Sequence, residues 1–237
     1  MDQIAFFWRG EDTTIPEYFV KSIKIRNLNN IKIIQVSDTK AKKIEGVDIL
    51  IDKDLPKDLM SARLKAFSFV ETLNTNTIFC DADSLLINKF KFSNFSPGYY
   101  LMKREGNFII NHLFPEYYPE FKNKFVLDVM PFLFGAIIIC KKENFFTNLF
   151  QICKNLPARF HRWYGDQLSL HIFYLDNKSK FSFFNQKKYM HIVGRKDKDP
   201  NIDLHSLQKK GVVFLTFKGL ESKKRIAEVL ENIKKLL

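Results

Sequence analysis

The chain has 237 residues, of which 46% are hydrophobic and 27% charged; this composition is typical of a folded globular protein and excludes a disordered one. Its 38 lysine and arginine residues outnumber its 26 acidic ones, giving a formal net charge of +12. Such a surface should attract anions, which include nucleic acid, an anionic membrane face and a phosphorylated substrate. No uncharged stretch reaches the roughly 20 residues that a membrane-spanning helix needs, so we expect none.

The cysteines and the N-terminus indicate the compartment. Cys80, Cys140 and Cys153 are an odd set without C-x-x-C spacing, which predicts buried free thiols in a reducing compartment. The first apolar run lacks a basic flank and is too short for a signal peptide. We therefore expect a cytoplasmic protein, with peripheral contact at the inner face of the membrane as a further option.

The first third of the chain alternates strands and helices, as the opening of a parallel α/β sheet does. Apolar patterns predict strands at 4–8, 31–36 and 47–51 and helices at 14–26 and, after 58–61, at 62–73. Thr14 and Glu17 have capping-box spacing, with Pro16 just inside, so the first helix should begin there. The second helix leads directly into the next strand.

Two aspartates, Asp81 and Asp83, follow a short buried strand at 77–80 and precede another apolar run at 85–87. Side chains two apart on an extended backbone point the same way, so the two carboxylates should converge. They repel each other unless a cation lies between them or one is protonated. Mn²⁺ or Mg²⁺ takes oxygen ligands and leaves positions for a phosphate, so we expect a metal site at this strand end.

The pattern loosens after residue 88. A strand is expected at 99–102, and 103–128 should be loop and short helix covering a cleft. Further on, the apolar runs predict strands at 131–140, 181–184, 189–193 and 212–217, and helices at 144–156, from Asp166 and from Ser222. Gly135 stands inside a predicted strand, which indicates close approach of a ligand or another backbone.

No repeat or low-complexity linker divides the chain, so we expect a single domain over 1–237. We divide it into a nucleotide-binding half at 1–90, an acceptor-side half at 91–220 and a C-terminal amphipathic helix at 221–237. The apolar face of that helix should pack on the core, while peripheral membrane attachment is the alternative.

The order of these pieces resembles the A-type glycosyltransferase fold, especially the bacterial sugar-nucleotide transferases related to glycogenin and to the mannosyltransferase-like group. Six segments carry the resemblance: 4–8, 62–65, Asp81-Ala82-Asp83 as the D-x-D motif, 134–136, 164–167 and Phe214-Leu-Thr-Phe-Lys-Gly219 as the terminal H-x-x-G element. They follow the family's order over most of the chain. The resemblance implies a Rossmann-like α/β domain with a mostly parallel central sheet flanked by helices.

It also implies a nucleotide-sugar-dependent hexosyltransferase of polysaccharide biosynthesis, with a UDP- or GDP-sugar as donor and a glycan or lipid-linked acceptor. Asp81 and Asp83 would hold the metal on the diphosphate, and Asp166 would be the base or an electrostatic partner of the transition state. The substrate-binding residues it implies are Phe7, Trp8, Arg9, Asp38, Arg63, Gly135, Ala136, Trp163, Gln167, Lys218 and Gly219. Plainer interpretations are core for Phe7 and Trp8, helix surface for Arg63 and a helix cap for Asp166.

One position departs from the family pattern. Thr216 stands where the family has a metal-binding histidine, and threonine is a poor ligand for Mn²⁺. His191, in His191-Ile-Val-Gly194, copies the H-x-x-G spelling and is the rival third ligand, although a lone histidine in an apolar strand is more often structural. Lys218 and Lys223 could bind the diphosphate in either case.

Two other function classes stay open. The aspartate pair would also serve a phosphatase or nucleotidyltransferase, although Leu85 occupies the position where a haloacid-dehalogenase-type phosphatase has threonine or valine. A basic domain that binds nucleic acid or an anionic membrane face is the non-enzymatic alternative. The lysines are scattered outside one cluster at 223–225, so nucleic acid is not the expected partner.

Overall fold

The computed structural model describes residues 2–26, 28, 30–38, 41–73, 75–91, 93, 95–96, 98–110, 118–140, 144–184, 186–194 and 202–236. The strands are β1 Asp2–Trp8, β2 Ile31–Ser37, β3 Ile49–Asp52, β4 Thr77–Cys80, β5 Ser84–Leu86, β6 Gly98–Lys103, β7 Phe132–Cys140, β8 Phe181–Phe184, β9 Met190–Val193 and β10 Phe214–Phe217. The α-helices are α1 Thr14–Ile25, α2 Leu59–Glu71, α3 Val126–Val129, α4 Phe145–Asn155, α5 Ala158–Arg162, α6 Gly165–Asp176, α7 Gln186–Tyr189, α8 Leu204–Lys209, α9 Leu220–Lys223 and α10 Ile226–Lys235.

A central sheet of seven strands organises these elements, in the order β3-β2-β1-β4-β7-β6-β8. β1 is parallel to β2 and β4, β2 is parallel to β3, and β6 is parallel to β8. β7 alone runs antiparallel to its neighbours in this sheet. The predicted α/β fold with a mostly parallel sheet flanked by helices is therefore confirmed.

Helices cover both faces of the sheet, because successive side chains of a buried strand point to opposite sides. In β1, Ile4 and Phe6 pack with the apolar face of α1, whereas Ala5 and Phe7 pack in the cluster that holds α2, α4 and α6. Burial on both sides explains why the first strand reads as a continuous apolar run. The carboxyl ends of the parallel strands are left at one edge, where ligands bind in open α/β sheets.

A smaller sheet, in the order β5-β10-β9, stands beside the carboxyl end of β4. β10 is antiparallel to β5 and parallel to β9. The apolar face of α10 is buried against this sheet and α1, with Val229, Leu230 and Ile233 at most 3% exposed. The expected packing of the C-terminal helix on the core is thus observed. Within the described residues, no helix is both long and apolar enough to cross a membrane.

The cap of the first helix and the start of the last helix differ from the predictions, although α1 begins at Thr14 as expected. The capping-box prediction was wrong: Thr13 is the first N-cap and its hydroxyl donates to Glu17 Oε1, while Asp12 Oδ1 accepts from the Thr14 amide. The helix predicted from Ser222 is two helices, since the Ser222 hydroxyl donates to Gly219 O within α9 and α10 begins only at Ile226.

Part of the region expected to cover a cleft, 111–117, lies outside the described residues. What is described includes a 3₁₀ helix at Pro119–Phe121 and the short α3. The aromatic rings of Tyr118, Phe121, Phe160 and Tyr164 form a separate apolar cluster there. This part of the chain therefore has its own small core, next to the beginning of α6.

Glu71 joins α2 to α4 and gives a pH test of the fold. Its carboxylate accepts hydrogen bonds from the amides of Phe146 at 2.6 Å and Thr147 at 3.2 Å, where α4 has no side-chain cap of its own. Burial nevertheless raises the pKa of Glu71 from 4.5 to about 7. Between these two pKa values the folded chain binds more protons than the unfolded chain. The contribution of Glu71 to the free energy of unfolding is therefore present at acidic pH and is lost as the pH rises through about 7.

Glu71→Gln keeps an oxygen acceptor and removes the titrating charge. We expect the melting temperature of the wild type to fall relative to that of the variant between about pH 5 and about pH 8, as measured by thermal unfolding in a buffer series. Glu221→Gln, on the exposed α9, is the matched control and should follow the wild type. A difference in melting temperature between wild type and Glu71→Gln that stays constant with pH would contradict the raised pKa of Glu71.

Candidate active site

The turn at Asp81–Asp83 connects the two sheets. The Asp81 amide donates to Gly135 O of β7 at 3.1 Å, and the Phe217 amide of β10 donates to Asp83 O at 3.0 Å. Both ends of the turn are thereby fixed to backbone, which holds the two aspartates at the carboxyl end of β4 as predicted. Their side chains are 15% and 14% exposed, so both carboxylates lie largely out of water.

Cations surround this acidic pair. Asp81 Oδ1 is 2.7 Å from Arg63 Nη1, and its Oδ2 is 2.9 Å from Lys218 Nζ. Asp83 Oδ2 is 2.8 Å from Lys223 Nζ, and its Oδ1 is 3.9 Å from Lys218 Nζ. Lys218 therefore contacts both aspartates, as a cation placed between them must.

Arg63 links this pair to Asp166. Its Nη2 forms an ion pair with Asp166 Oδ2, and its guanidinium carbon lies 4.5 Å from the centre of the Phe134 ring. Asp166 is fully buried, and its Oδ1 accepts from the Gln167 amide at 2.7 Å. The geometry gives Asp166 the role of holding Arg63 in place; its direct part in catalysis stays a prediction.

The charges of these groups stabilise one another. Burial acts to raise the pKa of Asp81, but Lys218 and Arg63 outweigh it and hold that pKa below its usual value. Burial likewise acts to lower the pKa of Lys218, and the charges of Asp81 and Asp83 outweigh it and raise the pKa. Asp81 and Lys218 therefore stay ionised at neutral pH and attract each other as full charges.

The residues at this site do not fit the expected divalent ion well. Both oxygens of Asp81 and one of Asp83 already contact cationic nitrogens. Thr216, at the position expected for histidine, is fully buried, and its hydroxyl has no hydrogen-bond partner among the described residues. His191 lies on β9 opposite Leu215, and no three His, Cys, Asp or Glu side chains of the described chain come together as a metal site. The Mn²⁺ or Mg²⁺ prediction stays a prediction, tested below.

Gly135 is closely packed at this site, whereas Ala136 is core. A Cβ atom at 135 would lie 3.1 Å from Met190 Cε and 3.7 Å from Asp81 Oδ2. Ala136 pairs with Cys80 in the sheet and is only 1% exposed, so its methyl group packs in the core and does not face a ligand. Among the described residues the close neighbours of Gly135 are therefore the side chains of Met190 and Asp81, not the backbone or ligand that the sequence predicted.

The ends of β1 and β2 bring Arg9 and Asp38 together. Arg9 Nε is 3.0 Å from Asp38 Oδ2, and the other guanidinium nitrogens of Arg9 donate to the carbonyl oxygens of Pro56 and Lys57, each at 2.6 Å. Arg9 therefore fastens the loop after β3. Phe7, 8% exposed, packs in the core, which is its plainer interpretation.

Trp8 is partly exposed and donates from its indole to Asp12 O at 2.8 Å, so it stands at the rim of this strand end. At the opposite side, Trp163 is 51% exposed directly before α6, where Tyr164 has the left-handed φ of 65°. That turn sends the indole outward while Asp166 enters the core.

Arg104 is a site residue that the sequence analysis missed. Its Nη2 donates to Gln167 Oε1 at 2.7 Å and its Nε donates to Met130 O at 3.1 Å. The only sequence signal was a basic residue two positions after a predicted strand. Gly219 has φ of 90°, which lets the chain turn sharply from Lys218 into α9.

Comparison with solved structures identifies the fold as that of the A-type glycosyltransferases. A glycosyltransferase involved in the glycosylation of the major capsid of PBCV-1 is 9% identical, with a TM-score of 0.60 over 98% of each chain. The galactosyltransferase LgtC, in complex with donor and acceptor sugar analogs, is 12% identical, with a TM-score of 0.57 over 100% of this chain and 96% of that one.

The glycosyltransferase GlyE of Streptococcus pneumoniae TIGR4 is 13% identical, with a TM-score of 0.56; the match covers 99% of this chain and 62% of that one. No protein-family model and no curated protein sequence matches the chain. At these identities the likeness establishes the fold, and the activity has to be argued from the site.

The Arg63–Asp166 pair gives a test of the site's construction. Arg63→Ala leaves a fully buried carboxylate without its cation, so we expect a loss of about 3–5 kcal/mol in the free energy of unfolding, measured in urea. Arg162→Ala, an exposed control, should change it by less than about 0.5 kcal/mol. Adding Asp166→Ala to Arg63→Ala should cost less than the sum of the single changes, and strict additivity would disprove the coupling.

Proposed function

We propose that the protein is a glycosyltransferase that moves a hexose from a nucleoside-diphosphate sugar to a glycan or lipid-linked acceptor. The observation that carries the proposal is the acidic pair with its lysines, placed at the carboxyl end of β4 in an A-type fold. The similarity to LgtC, whose structure contains donor and acceptor sugar analogs, supports sugars as ligands of this chain.

The chemistry requires positive charge where the donor breaks. The bond between the anomeric carbon and the β-phosphate oxygen breaks, and its electron pair stays on that oxygen. The acceptor oxygen bonds to the anomeric carbon and releases its proton. Lys218 and Lys223 are 46% and 30% exposed, so their ammonium groups border on solvent at this site and are available to the departing diphosphate.

The sugar and the acceptor are assigned to the side of the site that holds α6. Trp163 offers a half-exposed aromatic face there, and such faces bind sugar rings by apolar contact. Leu220, 78% exposed, follows Gly219 beside the two lysines. This exposed apolar side chain beside the lysines supports a lipid-linked acceptor and peripheral contact with the cytoplasmic face of a membrane.

The test is release of nucleoside diphosphate from a panel of UDP- and GDP-sugars, with and without added acceptor. Asp83→Asn should lower the rate by at least about 100-fold, because Lys218 and Lys223 lose the charge that positions them. The exposed Asp176→Asn is the matched control and should keep the wild-type rate. Equal rates for Asp83→Asn and wild type would remove the acidic pair from the mechanism.

The other function classes give different results in the same experiment. A non-enzymatic basic domain would release no nucleotide and would bind DNA or anionic vesicles with strong dependence on salt. A phosphatase would release inorganic phosphate from these donors or from a phosphate ester. Either result would replace the transferase proposal.

A further inference from the structure

Lys218 occupies the position between two carboxylates that the sequence analysis assigned to a metal ion. Its Nζ is within 4 Å of both, at 2.9 Å from Asp81 Oδ2 and 3.9 Å from Asp83 Oδ1. An ammonium group has three N–H donors and is itself the cation that two converging carboxylates require. The repulsion that predicted a bound ion is thus relieved by the chain itself.

The backbone around Lys218 is fixed on both sides. The amide of the preceding Phe217 donates to Asp83 O at 3.0 Å, and the Lys218 amide donates to Val193 O of β9 at 3.0 Å. The Cα atom of Lys218 is therefore held between the acidic turn and the edge of β9. The register of β10 thus places this Cα atom beside the acidic turn, from where the side chain reaches both carboxylates.

Lys223 reaches one of the two carboxylates, that of Asp83, from the next turn of chain. Gly219, with φ of 90°, reverses the direction after Lys218, and the one-turn helix α9 brings Lys223 Nζ to 2.8 Å from Asp83 Oδ2. With Arg63 on the far side of Asp81, cations approach the pair from α2, from the end of β10 and from α9. A divalent ion at this place would repel these cationic side chains, and it would have to displace at least one of them from its carboxylate.

We propose that Lys218, together with Lys223, replaces the divalent ion, so that donor binding and departure of the diphosphate need no metal. This inference rests on the proposed function in one respect, namely that the ligand is a nucleoside diphosphate. Asp81 and Asp83 then position the two ammonium groups, and the free N–H donors of those groups bind the phosphate oxygens. The two lysine ammonium groups stabilise the negative charge left on the β-phosphate oxygen.

The first experiment uses the wild-type chain alone. Calorimetric titration with UDP, GDP and inorganic pyrophosphate is carried out in EDTA and repeated with Mn²⁺ and with Mg²⁺. We expect the dissociation constants with and without metal to agree within about twofold. Titration with Mn²⁺ alone should show no saturable binding up to about 1 mM.

The second experiment removes the built-in cation. Lys218→Met should weaken binding of pyrophosphate in EDTA by at least about tenfold, and it should create saturable Mn²⁺ binding, because the two carboxylates regain an unfilled place for a cation. Lys218→Arg should keep metal-independent binding. Lys210→Ala, an exposed lysine outside the site, is the matched control for loss of one positive charge. Thermal unfolding of each variant verifies the fold.

The possible failures are distinguishable. Saturable Mn²⁺ binding by the wild type, together with nucleotide binding that EDTA abolishes, overturns this inference and leaves the transferase proposal in place. Absence of nucleoside-diphosphate binding in every condition overturns both. If Lys218→Met does not fold, the wild-type titrations and Lys218→Arg still decide between the lysine and the metal.

Discussion

The neutralisation of two converging carboxylates is the constraint on which the site depends. Asp81 and Asp83 stand largely buried at the end of a strand that is itself buried on both faces. In such surroundings two like charges are tolerated only with cations in contact. The chain supplies these from three separate places, with Arg63 on α2, Lys218 after β10 and Lys223 on α9.

This requirement also explains why the small sheet is attached where it is. β5 follows the Asp81–Asp83 turn directly. Because β5 pairs with β10, the lysines that follow β10 lie next to this turn, although they are far from it in sequence. Asp166, on α6, orients Arg63 from the other side, with the Phe134 ring against the guanidinium. The site is therefore held by segments from most of the chain, and its charge balance is a product of the whole fold.

Regular apolar periodicity made much of the fold predictable. The strand at 77–80 was predicted with its observed bounds, and the central α/β sheet and the place of Asp81 at a strand end followed from the same patterns. Local sequence does not encode which distant cation reaches a carboxylate, so Lys218 between the aspartates and Arg104 on Gln167 were not foreseen. Helices of one or two turns, such as α5 and α7, are too short to show a period.

The short connection between the lysine turn and the C-terminal helix has a mechanical consequence. Only Lys224 and Arg225 separate Lys223 from the first residue of α10, and the apolar face of that helix is clamped against α1 and β5. Displacement of the Lys223 backbone is therefore transmitted to α10 through only two residues. A spectroscopic label on the solvent face of α10 would report such a displacement without contacting the acidic pair.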